Sequence, residues 1–118
     1  VDDEPSLIGC VGMLLSSNGY EVLTAEDGMV ATQMLEVHSD IAFVLTDTQM
    51  PNMDGIALVR WMKENRPHIP VVITTGNPVT ADKAIRCGAA GFIPKPFSPE
   101  EIIGIIQRFV PVPVGAGG

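Results

Sequence analysis

The chain has 118 residues and is 46% hydrophobic, enough for one domain with one core and too apolar for wholesale disorder. Its formal charge of −7, with seven Lys and Arg, argues against direct nucleic-acid binding, which needs a basic surface. No apolar run approaches the roughly 20 residues of a membrane span, nothing resembles a signal peptide, and Cys10 and Cys87 lack metal-ligand or redox spacing. These features together predict an acidic, cytoplasmic single domain.

The chain begins abruptly with Val1-Asp2-Asp3-Glu4. The spacing of Leu7, Ile8, Val11, Leu14 and Leu15 predicts a helix over 5–17, started by Pro5 and stopped by Asn18-Gly19. Tyr20 to Ala25 reads as a short strand. Asp27-Gly28 opens a second helix whose apolar side is Val30, Met34, Leu35 and Val37.

Ile41-Ala42-Phe43-Val44-Leu45 is too short for a helix core and predicts a buried strand running into Thr46-Asp47. A turn through Pro51, Asn52 and Gly55 follows, then a helix from Ile56 to Asn65 carried by Ile56, Val59 and Met62. Asp54, in Asp-Gly, reads as a turn or cap residue. Val71 to Thr75 is the next buried strand, closed by Gly76-Asn77-Pro78. Thr80 is expected to cap a helix to Cys87, with Gly88 as its stop. Phe92-Ile93 begins a last strand ahead of Lys95-Pro96-Phe97. Ser98-Pro99-Glu100-Glu101 is a capping box, so Glu101 to Val110 is a helix. The 111–118 stretch is a Pro/Gly-rich tail or linker, leaving 1–110 as the domain. His38 and His68 read as solvated surface, and Met50, Met53 and Met62 as packing residues.

Strands alternating with helices imply a parallel sheet covered on both faces, a doubly wound α/β sandwich. Asp2, Asp3 and Asp47 then fall at one end of the sheet, where ligands bind in open α/β folds. Clustered carboxylates repel, and a hard cation is the simplest means of keeping them ionised; Mg²⁺ takes oxygen ligands and completes its shell with water or phosphate. Lys95 and Thr75 close two further strands at that end, adding an ammonium and a hydroxyl. The set suits phosphoryl transfer to a carboxylate, with Asp47 as nucleophile.

With VDDE, LTDTQMPNMDG, PVVITTG and GAAGFIPKPF in order, the chain from Asp2 to about Val110 resembles the receiver domains of two-component signalling, found in response regulators and hybrid kinases. The resemblance implies a flavodoxin-like (βα)5 sandwich with strand order 2-1-3-4-5. It implies that Asp47 accepts a phosphoryl group from a sensor histidine kinase or phosphotransfer domain. It makes Asp3 a direct Mg²⁺ ligand, Asp2 a partly water-mediated one and Gln49 the source of a backbone carbonyl. Thr75 would hydrogen-bond the phosphoryl group, and Lys95, before an expected cis Pro96, would pair with it. Thr75 and Phe92 would form the switch that reshapes the 79–110 face for an output domain or a homodimer. A phenylalanine at that position acts by packing alone. Gln49 and Asn77, amides flanking the mouth, are expected to tune dephosphorylation by orienting water. The resemblance implies self-catalysed, Mg²⁺-dependent phosphorylation and slow dephosphorylation rather than a conventional enzyme's activity. The alternative function is a receiver-shaped interaction module that is never phosphorylated.

The fold calls for a central apolar strand before Asp2, where only Val1 stands. Four or five absent buried side chains would cost about 6–15 kcal/mol, comparable to a whole domain's stability. The expectation is that residues upstream, or some other segment, fill that slot. The tail is a poor filler, because Pro111 and Pro113 let it pair along one edge only.

Overall fold

The computed structural model describes residues 1–111 apart from Asp3 and Pro51, with the backbone alone described for 5–8. Five helices are present: α1 (Pro5–Ser17), α2 (Gly28–Val37), α3 (Gly55–Asn65), α4 (Pro78–Cys87) and α5 (Pro99–Phe109). They alternate, from α2 onward, with β1 (Val44–Asp47), β2 (Val71–Thr75) and β3 (Gly91–Pro94). The strands pair in parallel in the order β1-β2-β3, with Asp47 beside Thr74 and Ile73 beside Phe92. These are the third, fourth and fifth strands of the expected sheet, in their expected order.

Local chemistry sets the helix starts. Asp27 accepts from Val30 N–H at the head of α2, and Asp54 accepts from Ala57 N–H at the head of α3. Ser98 and Glu101 form the reciprocal capping box of α5, with Pro99 in its first turn. Asn77, rather than Thr80, caps α4, because Pro78 already occupies the first helical position and Asn77 Oδ1 accepts from Val79 N–H. Gly88 ends α4 at φ 116°, the left-handed conformation that favours glycine.

Successive residues of β2 feed opposite layers of core. Val71 and Ile73 pack with Leu35, Leu58, Val59 and Met62 on the α2, α3 and α4 side, whereas Val72 packs with Leu15, Ile102 and Ile106 on the α1 and α5 side. This two-sided burial is why the strand reads as a continuous apolar run. Val11, Leu35, Val59 and Met62 meet the core as their spacing predicts. Val37 does not: at the last turn of α2 it is 78% exposed, while Ala31 and Thr32 are buried instead.

The sheet differs from expectation at its other side. Tyr20 to Ala25 and Ile41 to Phe43 carry no strand assignment. A strand is defined by its partners, and both segments face the position of the central first strand. Val1-Asp2 makes the only bonds described there: Val1 N–H donates to Leu45 O, Asp47 N–H donates to Val1 O (2.8 Å), and Asp2 N–H donates to Ala25 O (3.1 Å). A cleft of about 940 Å³ continues from these bonds between the two segments, lined by Leu15, Val22, Leu35, Phe43 and Leu45 among others. Tyr20 O–H closes its far end by donating to Val110 O (2.6 Å), and Phe43 packs on Phe109 with ring centroids 5.5 Å apart. Of the Val110–Val114 segment considered as a weak filler, all beyond residue 111 lies outside the described residues.

Candidate functional site

Asp47 closes β1, and its carboxylate lies at the mouth of the sheet, 8% exposed. Its own loop orients it: Thr48 N–H donates to Asp47 Oδ1 (2.8 Å). Lys95, just past β3, reaches the same oxygen across the end of β2, with Nζ at 3.1 Å. Oδ2 takes no hydrogen bond among the described residues, which leaves it the uncommitted oxygen.

Asp2 is brought to the mouth by the bonds of Val1 to Leu45 and Asp47 and by its own N–H to Ala25 O. Its Oδ1 accepts from Glu4 N–H at 2.9 Å, and the residue is 7% exposed. Burial, and secondarily the charge of Asp47, push its carboxyl above the usual carboxylate range, against the Glu4 hydrogen bond and the Lys95 charge. Two carboxylates near enough for the charge of one to raise the proton affinity of the other fit a hard divalent cation. Asp3 falls outside the described residues, and among the described residues no three His, Cys, Asp or Glu converge as a ready cage. Mg²⁺, which tolerates few protein ligands and keeps several waters, suits that sparse set better than a fully caged metal would.

Thr75 ends β2 and is 5% exposed. Its Oγ1 accepts from Asn77 N–H (3.1 Å), which occupies a lone pair and leaves the hydroxyl hydrogen free to donate. Its carbonyl accepts from Lys95 N–H (2.9 Å), registering the lysine against the strand end. The Lys95–Pro96 peptide is cis, as expected.

The remaining sites divide. Gln49 is exposed on the loop after β1. Asn77 lies at the mouth, but its Oδ1 is taken by the α4 cap, so only its amide hydrogens are available to a water. Phe92 projects outward at 45% exposure beside a shallow groove formed with Glu101, Ile105 and Arg108. Of the isoleucines on the 79–110 face, Ile102 and Ile106 are core, Ile105 is half-buried and Ile85 is 42% exposed. His38 and His68 are exposed, and Met62 is core, as their surroundings in sequence suggest.

Two features were not anticipated. Gly55 packs so closely beneath the site that a Cβ there would collide with Asp47 O and lie 2.9 Å from Thr48 Cα. Asn52, at φ 65°, donates from Nδ2 to Asp27 Oδ2 (2.8 Å), joining the loop after β1 to the head of α2. The Asn-x-Asp-Gly turn was the available signal for both, since Asn tolerates a positive φ and Gly allows a close backbone approach.

An open parallel α/β sheet whose carboxyl end gathers aspartates, a threonine and a lysine is the architecture of a phosphoacceptor domain. The response regulator receiver domain family model matches residues 1–107, and the chain belongs to that family. It is 34% identical over 111 residues to the regulatory protein AtoC of Escherichia coli, covering 92% of this chain and 24% of that protein. It is 33% identical over 104 residues to the alkaline phosphatase synthesis transcriptional regulatory protein PhoP of Bacillus subtilis, covering 86% and 43%. The chain therefore spans less than half the length of these curated relatives. Among solved structures, the receiver domain of NtrX from Brucella abortus superposes with a TM-score of 0.85 at 34% identity, covering 92% of this chain and 93% of that one. The chemotaxis protein CheY4 of Vibrio cholerae superposes with a TM-score of 0.84 at 29% identity, covering 92% and 93%. The flavodoxin-like fold follows from this likeness. Among the described residues no helix is long and apolar enough to cross a membrane.

Proposed function

We propose that Asp47 is the phosphoacceptor of this receiver domain and takes its phosphoryl group from a kinase phosphohistidine. The single observation that carries the assignment is the division of labour on its carboxylate: Oδ1 is held by Thr48 N–H and Lys95 Nζ, while Oδ2 takes no hydrogen bond among the described residues. Oδ2 attacks phosphorus, the donor's N–P bond breaks as the O–P bond forms, and the departing imidazole nitrogen retains the electron pair and takes up a proton from solvent. Lys95 neutralises charge gathering on the transferring oxygens, and the free Thr75 hydroxyl hydrogen donates to one of them.

Asp2, Asp3, Asp47 and the Gln49 carbonyl would hold Mg²⁺, which would neutralise the clustered carboxylates and the incoming phosphoryl oxygens when bound. The Thr75 hydroxyl turning toward the phosphoryl group draws on the mouth, and Phe92 turning inward reshapes the 79–110 face. That face then meets an output domain or a second copy. Gln49 and the Asn77 amide set how readily water attacks the aspartyl phosphate. A cytoplasmic location, where a kinase and its phosphodonor would be found, goes with this reading.

Intact mass after incubation with acetyl phosphate and Mg²⁺ tests the assignment, beside an Asp47→Asn variant and a chelated sample. One added phosphoryl group that needs both Asp47 and the metal is the expected result. No addition to folded protein would instead mark an interaction module that is never phosphorylated.

A further inference from the structure

The loop from Thr48 to Asp54 carries the carbonyl assigned to the metal, so whatever fixes this loop acts on the site at one remove. Its two ends are fixed by the chain itself: Thr48 N–H binds the Asp47 carboxylate, and Gly55 N–H donates to Thr48 O at 3.0 Å. Its outer portion is fixed from another element. Gly28 N–H donates to Met53 O (3.1 Å), and a Cβ on Gly28 would lie 2.6 Å from that same oxygen, so the head of α2 is in direct backbone contact with the loop. One residue away, Asp27 divides its carboxylate between two tasks. Oδ1 caps α2 through Val30 N–H (2.9 Å), and Oδ2 accepts from Asn52 Nδ2 (2.8 Å).

Asp27 is 7% exposed although it stands at a helix head, and the Val30 amide first, then the Asn52 amide, hold its carboxyl below the usual carboxylate range. Helix capping alone requires one of its oxygens. The second is directed at the loop, and Asn52 meets it from a left-handed backbone at φ 65°. Asn tolerates that conformation but does not require it for the turn, because glycine would serve the backbone better. The Asn52 side chain adds the hydrogen bond to Asp27 that glycine could not make.

We propose that Asp27 and Asn52 are a positioning pair: their hydrogen bond holds the 48–54 loop in the conformation that presents the Gln49 carbonyl to Mg²⁺, and so sets the affinity of the site for the metal. The inference rests on the metal assignment made above for Asp2, Asp3, Asp47 and Gln49. Neither residue touches the metal or the phosphoryl group. Groups that orient ligands from behind typically change metal affinity by 10–100-fold when removed.

Asn52→Gly is the informative variant, since it deletes the amide and suits φ 65° without backbone cost. Mg²⁺ affinity is read by calorimetric titration with no phosphodonor present, beside amide hydrogen exchange of residues 48–53 in metal-free protein. The expected result is about 10-fold weaker Mg²⁺ binding, faster exchange across 48–53 and unchanged exchange in α2. The double exchange Asp27→Asn with Asn52→Asp, which reverses donor and acceptor while keeping an oxygen for the cap, is expected to restore most of the affinity, whereas Asn52→Asp alone sets two carboxylates against each other and does not. Equal Mg²⁺ affinity for the parent chain and Asn52→Gly would overturn the pair's role and leave the metal site standing. Failure of the parent chain itself to bind Mg²⁺ would overturn the metal assignment, and the pair's role with it.

Discussion

Lys95 Nζ lies 3.1 Å from Asp47 Oδ1, joining residues 48 positions apart across the width of an intervening strand. The lysine side chain is 34% exposed and the aspartate side chain 10%, so the pair is sheltered without being sealed from water. That exposure keeps the ion pair's share of folding stability small, at most about 1 kcal/mol. Its consequence is directional: it commits one carboxylate oxygen and leaves the other.

Lys95→Met keeps the stem and removes the charge. We expect phosphorylation by acetyl phosphate to slow by about 100-fold or more, as when a single transition-state donor is removed from other sites. The urea midpoint should move little. The rate constant from a time course of intact mass, set beside the unfolding curve, checks both parts; a rate within a factor of three of the parent would remove Lys95 from the mechanism.

Gly55→Ala places a Cβ against the Asp47 carbonyl, where only backbone atoms could give way. Overpacking of this kind costs about 1–3 kcal/mol, and here the displaced backbone is that of Asp47 itself. Chemical denaturation should show the loss, and phosphorylation should fall further than stability alone accounts for. Unchanged stability would mean that the α3 head can slide away from β1.

The proton affinity of Asp2 gives stability a pH dependence of definite sign. Its folded pKa is raised, with burial as the leading cause, so the folded state holds this proton more tightly than the unfolded chain. Its contribution is fully present below the ordinary carboxylate value near 3.8 and is lost as pH rises through the raised folded value. At neutral pH the ionised Asp2 is thus destabilising in metal-free protein. Asp2→Asn should raise the urea midpoint at pH 7 and abolish the stabilisation that added Mg²⁺ gives the parent; a midpoint that drops at pH 7 would contradict the burial argument.

Phe92 is 45% exposed, on the β3 position paired with the fully buried Ile73. If it turns inward on phosphorylation, a tryptophan there reports the move. In a Trp61→Phe background, Phe92→Trp should emit at shorter wavelength once Asp47 is phosphorylated, with no shift when Asp47→Asn is added. A shift to longer wavelength, or none in phosphorylated protein, would exclude an inward switch.

Much of this molecule is written locally. Asp27, Asp54 and Ser98 cap helices because their short oxygen-bearing side chains reach nearby amides, and Pro99 fits a first turn because it lacks the N–H that such a turn leaves unpaired. Val71 to Thr75 is legible as a buried strand because it is a short run of β-branched residues, and every one of them is buried. Asp47, Thr75 and Lys95 could be placed at one end of the sheet since parallel strands all finish on the same side. These are consequences of spacing and side-chain type, which the order of residues carries in full.

Other features arise only when distant segments meet. Tyr20 to Ala25 has strand chemistry yet no ladder, because pairing is a property of two strands and, among the described residues, Asp2 N–H to Ala25 O is the one backbone bond made beside it. Val37 has the apolar character of a core residue but falls on the open side of α2's last turn. Which oxygen of Asp47 is held and which is uncommitted, that Asn77 spends its oxygen on a cap, and that Asn52 reaches Asp27 are matters of ångströms between elements. Hydrogen bonds and steric contact decide them at that range. Sequence determined the kinds of groups gathered at the mouth of the sheet, and the tertiary structure decided how each is engaged.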